Sequence, residues 1–260
     1  MRRHITFPCG PDRLVGTLDA EVATGPCGVL LVSGGREVRA GSWGGQAQLA
    51  ARLAAAGVPV LRYDRRGVGE SEGSDPGFQH TLGDIAAALA AFRTEVPGLR
   101  RVVGFGNCDA AAALMLHGAD IGLDALILAN PWTLETDEAE AAPPAALRQR
   151  YLAKLANPRE VLRLLTGGVN LAKLARGLRQ AATPAPAPRS GLVDWMAGSL
   201  ARFPGPVAIL LASGDRTAQM FEAVWPADDP RIQRHASSGH SFAGEEAQDW
   251  LLTRILETTR

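Results

Sequence analysis

Short, almost wholly apolar runs alternate with longer amphipathic segments along this chain, and no other feature narrows its possible folds so far. Gly28-Val29-Leu30-Leu31-Val32, Val58-Pro59-Val60-Leu61-Arg62-Tyr63, Arg101-Val102-Val103-Gly104-Phe105, Ala125-Leu126-Ile127-Leu128-Ala129 and Val207-Ala208-Ile209-Leu210-Leu211-Ala212 are too short for typical helices. Apolar on both faces, they read as strands buried inside a parallel sheet. The segments between them have helical spacing. Residues 44–56 place Leu49 and Leu53 one turn apart and stop at Gly57, and residues 81–95 place Leu82, Ile85, Leu89 and Phe92 three and four apart. An Ala-rich helix is expected over 109–117, and a terminal helix over about 244–257 with Trp250, Leu251 and Ile255 on one side. Residues 4–8 and 13–20, split by Cys9-Gly10-Pro11-Asp12, predict an N-terminal antiparallel hairpin, and a weak strand is expected near 231–235. Alternating strand and helix predicts an α/β protein with a mostly parallel, doubly wound sheet.

One region breaks the rhythm. Residues 133–203 hold an acidic patch (Glu135, Asp137, Glu138, Glu140), Pro143-Pro144, and expected helices near 145–156, 158–166 and 169–180. A loop, Thr183-Pro184-Ala185-Pro186-Ala187-Pro188, follows. Long excursions inside compact domains are usually functional. We therefore expect a core made of residues 1–132 and 204–260, with a helical lid over 133–203. The plainer alternative is an elaborated crossover with no gating role.

Charge excludes one class of partner. The 260 residues carry 27 basic and 27 acidic side chains, a formal balance of zero, whereas nucleic-acid modules usually present a strongly basic face. Met1-Arg2-Arg3-His4 has no apolar run behind it, so no secretory signal is expected. No stretch approaches the roughly 18 apolar residues of a membrane span. A cytoplasmic protein acting on a small molecule is the expectation. The three cysteines, Cys9, Cys27 and Cys108, are no disulfide framework.

Ligands of such sheets gather where the strands end. Those ends carry Ser33-Gly34-Gly35, Asp64-Arg65-Arg66-Gly67, Gly106-Asn107-Cys108-Asp109-Ala110, Asn130-Pro131-Trp132, Ser213-Gly214-Asp215 and Ser238-Gly239-His240. A thiol, a carboxylate and an imidazole thus share one rim, in the order nucleophile, acid, histidine. Cys108 lies between a strand and a helix with small residues, Gly106 and Ala110, two before and two after it. A nucleophile on a sharp turn needs that, because strand and helix nearly touch there. The turn also sets the sulfur at a helix N-terminus, where thiolate is favoured. Buried free cysteine is the ordinary alternative, and it is our reading of Cys9 and Cys27. His240 is the expected base. His4, His80, His117 and His235 read as structural. Asp215 would orient His240, with Asp228 and Asp229 as less well placed alternatives. Oxyanion donors are expected at the amides of Asp109 and Gly35. Trp132, Leu134, Trp195 and Met196 are candidates for an apolar acyl pocket, with lid–core packing as the alternative. Gly104-Phe105-Gly106-Asn107-Cys108-Asp109 begins like a dinucleotide turn, but an acid stands sixth, where it would repel a pyrophosphate. No phosphate loop and no zinc spacing is present, and no cofactor or metal is expected.

With Tyr63-Asp64-Arg65-Arg66-Gly67-Val68-Gly69-Glu70-Ser71, which matches D-x-R-G-x-G-x-S, the chain resembles the α/β-hydrolase superfamily over essentially its whole length. Around Gly106-Asn107-Cys108-Asp109-Ala110-Ala111 it resembles more closely the exosortase A system-associated hydrolase 1 family, found with bacterial exopolysaccharide gene clusters. The resemblance implies an α/β-hydrolase fold with a lid, and cleavage of an ester or thioester through an acyl-enzyme. Acyl transfer to a sugar or polymer hydroxyl, or a non-catalytic ligand-binding role, are the alternatives. Two departures stand out. Cys108 and Ala110 replace the serine and last glycine of G-x-S-x-G, and Ser33-Gly34 replaces the His-Gly of the oxyanion loop. Dienelactone hydrolases, which use a cysteine on this fold, also carry a glutamate near the oxyanion loop. Glu37 lies in the corresponding loop here.

Overall fold

Eight strands form one sheet in the order β1-β2-β4-β3-β5-β6-β7-β8. This computed structural model describes residues 1–21, 25–135, 191–236 and 238–260. The strands are β1 (Arg2–Cys9), β2 (Asp12–Asp19), β3 (Cys27–Val32), β4 (Val60–Tyr63), β5 (Arg101–Asn107), β6 (Ala125–Ala129), β7 (Val207–Ala212) and β8 (Ile232–His235). Strands β1 and β2 form the expected hairpin, and β2 joins β4 antiparallel. All other pairings are parallel. Every residue of β3, β4 and β6 is buried, which is why those segments read as unbroken apolar runs.

Helices cover both faces. On one lie α1 (Gly45–Ala55) and the C-terminal helix Glu245–Thr259, whose Leu49, Leu53, Leu251 and Ile255 pack on Val29, Val103 and Ile127. On the other lie α2 (Leu82–Glu95) and α3 (Asp109–Ile121), which enclose Leu30, Leu61, Leu126 and Leu128. Ile85 and Phe92, seven residues apart on α2, are both fully buried. Each such side chain contributes about 1.5–3 kcal/mol relative to exposure.

The expected lid is only partly within the described residues. Its helices near 145–156, 158–166 and 169–180 lie outside them. Its last stretch is a helix, α4 (Gly191–Ala201), and this packs on α3 with Leu192, Val193, Met196 and Leu200 in the main core. The core therefore includes residues that the boundary at 204 assigned to the lid. A further helix, α5 (Arg216–Val224), follows β7. It buries Thr217, Ala218, Met220 and Phe221 on one side, and Asp215 caps it by accepting from the Ala218 amide at 3.2 Å. The C-terminal helix is thus α6. Among the described residues no helix is long and apolar enough to cross a membrane.

Candidate active site

The connection from β3 runs to β4, and that from β5 runs to β6 on the opposite side. The strand order therefore reverses between β3 and β5, and a crevice opens beyond their carboxyl ends. The Ser33-Gly34-Gly35 loop leaves β3 there, and Cys108 leaves β5.

Cys108 is the residue between β5 and α3, with φ 64° and ψ −126°. A non-glycine side chain rarely holds such angles, and the strain costs on the order of 1–3 kcal/mol. Neighbouring contacts maintain the turn. The Cys108 amide donates to the Ala129 carbonyl at 3.0 Å, and its carbonyl accepts from the Trp132 amide at 3.1 Å. Small residues permit it. A Cβ on Gly106 would lie 2.7 Å from the Ala110 backbone, and one on Gly34 would lie 2.6 Å from the Asn107 carbonyl oxygen. Cys108 is partly exposed, whereas Cys9 and Cys27 are buried. Burial pushes both of those thiols up, away from thiolate.

Asp215 and His240 meet at this rim. His240 Nδ1 lies 2.9 Å from Asp215 Oδ2, and Asp215 is 7% exposed. The imidazole is pushed from its ordinary 6.5 up to about 10, first by the hydrogen bond to Asp215 and then by that to Cys108. Folding thus tightens the hold on this proton. The resulting stability is fully present below pH 6.5 and is lost as pH rises through about 10. In urea unfolding, the stability advantage of the natural protein over His240→Gln should be greatest near pH 6 and vanish above about pH 10. A gap of constant size across that range would contradict the pairing.

The other candidates are committed elsewhere. Asp229 is pulled down to about 2, chiefly by its hydrogen bond to Arg231. His117 meets the Gln79 carbonyl at 3.1 Å, His235 packs on Trp250, and His4 meets Thr17. Glu37 is held by hydrogen bonds from Ser42.

The expected oxyanion donors need one correction. The Gly35 amide does not face open space; it donates to Asp109 Oδ1 at 2.6 Å. Asp109 also lies 3.6 Å from the guanidinium of buried Arg65, which in turn donates to the Gly35 carbonyl. Burial is the main influence on the Asp109 carboxyl and raises it. The amide of Asp109, in the first turn of α3, has no intrahelical acceptor.

The expected pocket residues separate. Trp132 sits beside Cys108 through its backbone. Met196 is fully buried in the core and lines no open pocket, because Leu192, Met196 and Leu200 form the stripe that α4 turns to α3. Trp195, one position away from that stripe, is 45% exposed and meets the edge of His117. A cleft beside the site is floored by Leu49, Phe105, Phe242 and Leu251 and rimmed by Asn107 and Ser241. Neither Asn107 nor Asn130 belongs to a motif that marks it as a site residue in the sequence. Only their places at strand ends hinted at a role.

The model of the alpha/beta hydrolase family matches residues 29–253. The chain belongs to this family. Its fold is shared by solved α/β-hydrolase structures across nearly their full lengths. An esterase of Pyrococcus furiosus, Pf2001, is 14% identical over 100% of this chain and 94% of its own, with a TM-score of 0.61. The alpha/beta hydrolase GrgF of a Penicillium species is 18% identical over 100% and 98%, with a TM-score of 0.63. The thioesterase domain of the curacin biosynthetic pathway is 15% identical over 98% and 99%, with a TM-score of 0.59. No curated protein matches the chain. Within this α/β-hydrolase frame Cys108 occupies the strand-to-helix turn, where the resemblance expects serine.

Proposed function

We propose that this α/β-hydrolase cleaves a carboxylic ester or thioester, with Cys108 as nucleophile, His240 as acid and base, and Asp215 as the orienting carboxylate. The observation that carries the reading is the strained Cys108 turn, close enough to His240 to help raise its imidazole, with Nδ1 of that ring 2.9 Å from a buried acid. His240 holds the thiol proton on Nε2, and sulfur attacks the carbonyl carbon. The oxyanion takes hydrogen bonds from the Asp109 amide and from the Gly35 amide, displacing the Asp109 carboxylate from the latter. Collapse expels the alkoxide or thiolate, which receives the proton from His240, and leaves an acyl-Cys108 thioester. His240 then removes a proton from water, hydroxide attacks the thioester, and the Cys108 thiolate leaves with the free acid formed.

One observation favours a second reading, a non-catalytic chain that binds an acyl ligand. The carboxylate on the Gly35 amide occupies the place an oxyanion needs. A panel of p-nitrophenyl esters and acyl thioesters of graded acyl length separates the two. Turnover of at least one, with saturation in substrate, supports hydrolysis. Binding of the unreactive ketone analogues without turnover of any ester or thioester supports the second reading.

A further inference from the structure

We propose that Asn130 is a positioning residue that sets the reach of His240 towards Cys108, with Asn107 as its partner. This rests on the cysteine-hydrolase reading. Asn130 follows β6, is fully buried, and has φ 42°, a backbone conformation that asparagine tolerates better than most side chains. Its side chain joins three of the segments that meet at the site. Nδ2 donates to Asn107 Oδ1 at 3.0 Å and to the His240 carbonyl at 3.1 Å, while Oδ1 accepts from the Ala212 amide at 2.8 Å. Asn107 Nδ2 adds a second donor to the same His240 carbonyl at 3.0 Å. The orientation of the Asn130 amide is unambiguous. An N–H can only donate and a carbonyl can only accept, so Oδ1 must face Ala212 and Nδ2 must face His240.

The segments joined are the ones that carry the chemistry. Asn107 immediately precedes Cys108, and the Ala212 carbonyl accepts from the Asp215 amide at 2.9 Å. His240 stands on a loop with its side chain 42% exposed, and Asp215 holds only Nδ1 of the ring. Two donors on its carbonyl fix the peptide plane, and thereby the direction in which the ring leaves the backbone. Misplacement of a reacting group by about 1 Å can cost on the order of 100-fold in rate. A clamp that only stabilised the fold would have no reason to converge on the carbonyl of the one histidine paired with Asp215.

Asn130→Gly keeps the backbone conformation accessible and removes all three side-chain bonds. Asn107→Ala removes one of the two donors at a less buried position. We expect kcat for an ester to fall about 10–100-fold in the first variant and less in the second, with KM within threefold of the natural value. A low-field proton resonance from His240 Nδ1–H, read independently of turnover, should broaden or shift in both. So should the rate of iodoacetamide alkylation at Cys108, read by peptide mass at pH 6.5 and pH 9, move towards that of His240→Ala. A drop in melting temperature with kcat, resonance and alkylation unchanged would overturn the proposal. If Asn130→Gly does not fold, unchanged readouts in Asn107→Ala overturn it alone. Absence of any ester or thioester turnover in the natural protein refutes the hydrolase reading. The resonance and alkylation then still decide whether Asn130 positions His240.

Discussion

Cys108→Ala should lower turnover of the best ester or thioester substrate by roughly 10,000-fold or more, as removal of a nucleophile does in triad enzymes. The loss should lie in kcat, because alanine leaves the crevice and its walls intact. Stability separates this from a folding defect. Alanine keeps the Cβ that makes φ 64° costly, so the melting temperature should hardly change. Cys108→Gly should be equally inactive yet more stable than the natural protein by about 1 kcal/mol, because glycine occupies positive φ without that cost. A strained turn kept for chemistry therefore predicts that the most stabilising substitution is also an inactivating one. Retention of full activity in either variant would remove Cys108 from the mechanism. A loss of stability in Cys108→Gly would remove the strain argument.

Much of this is legible in the sequence, for physical reasons that differ by residue. The buried strands announce themselves because both their faces are apolar. Cys108 is legible because a sharp strand-to-helix turn tolerates only small neighbours, and Gly106 and Ala110 satisfy that in plain sequence. Helix α5 is harder to read because it is only nine residues long, although Thr217, Ala218, Met220 and Phe221 give it a buried side and Asp215 caps it. Met196 stands in the sequence between an acyl pocket and lid–core packing, because composition does not reveal which face of α4 meets α3, and the structure shows it packed in the core. The Gly35 amide was assigned by its position in the loop, and no pattern disclosed that Asp109, 74 residues later, would reach back to it. Nor could sequence assign the Asp64 motif. In the structure Asp64 is buried and accepts from the Arg39 amide at 2.6 Å and the Glu70 amide at 3.2 Å. The motif serves as loop architecture beside the site. Its Arg65 is the link to the chemistry, through Gly35 and Asp109.

Asp215 holds two roles at one oxygen, and a pair of substitutions should separate them. Oδ2 accepts both from the Ala218 amide at 3.2 Å and from His240 Nδ1 at 2.9 Å. Asparagine can place its carbonyl oxygen at that point, capping α5 and accepting from Nδ1, but it carries no charge to stabilise the imidazolium. Asp215→Asn should therefore cost on the order of 100–10,000-fold in kcat/KM with little loss of melting temperature. The lower end applies because a thiol gives up its proton more readily than a hydroxyl. Asp215→Ala should lose comparable activity and also the cap, about 1 kcal/mol, which corresponds to a fall of roughly 2–4 °C in a chain of this size. In the alanine variant His240 loses the hydrogen bond that contributes most to its raised value, so its titration should fall well below about 10. Alkylation of Cys108 should then depend on pH much as it does in His240→Ala. Equal stability in both variants would deny the cap, and full activity in Asp215→Asn would deny the orienting role. Either role can fail without the other, because one bond runs into α5 and the other to His240.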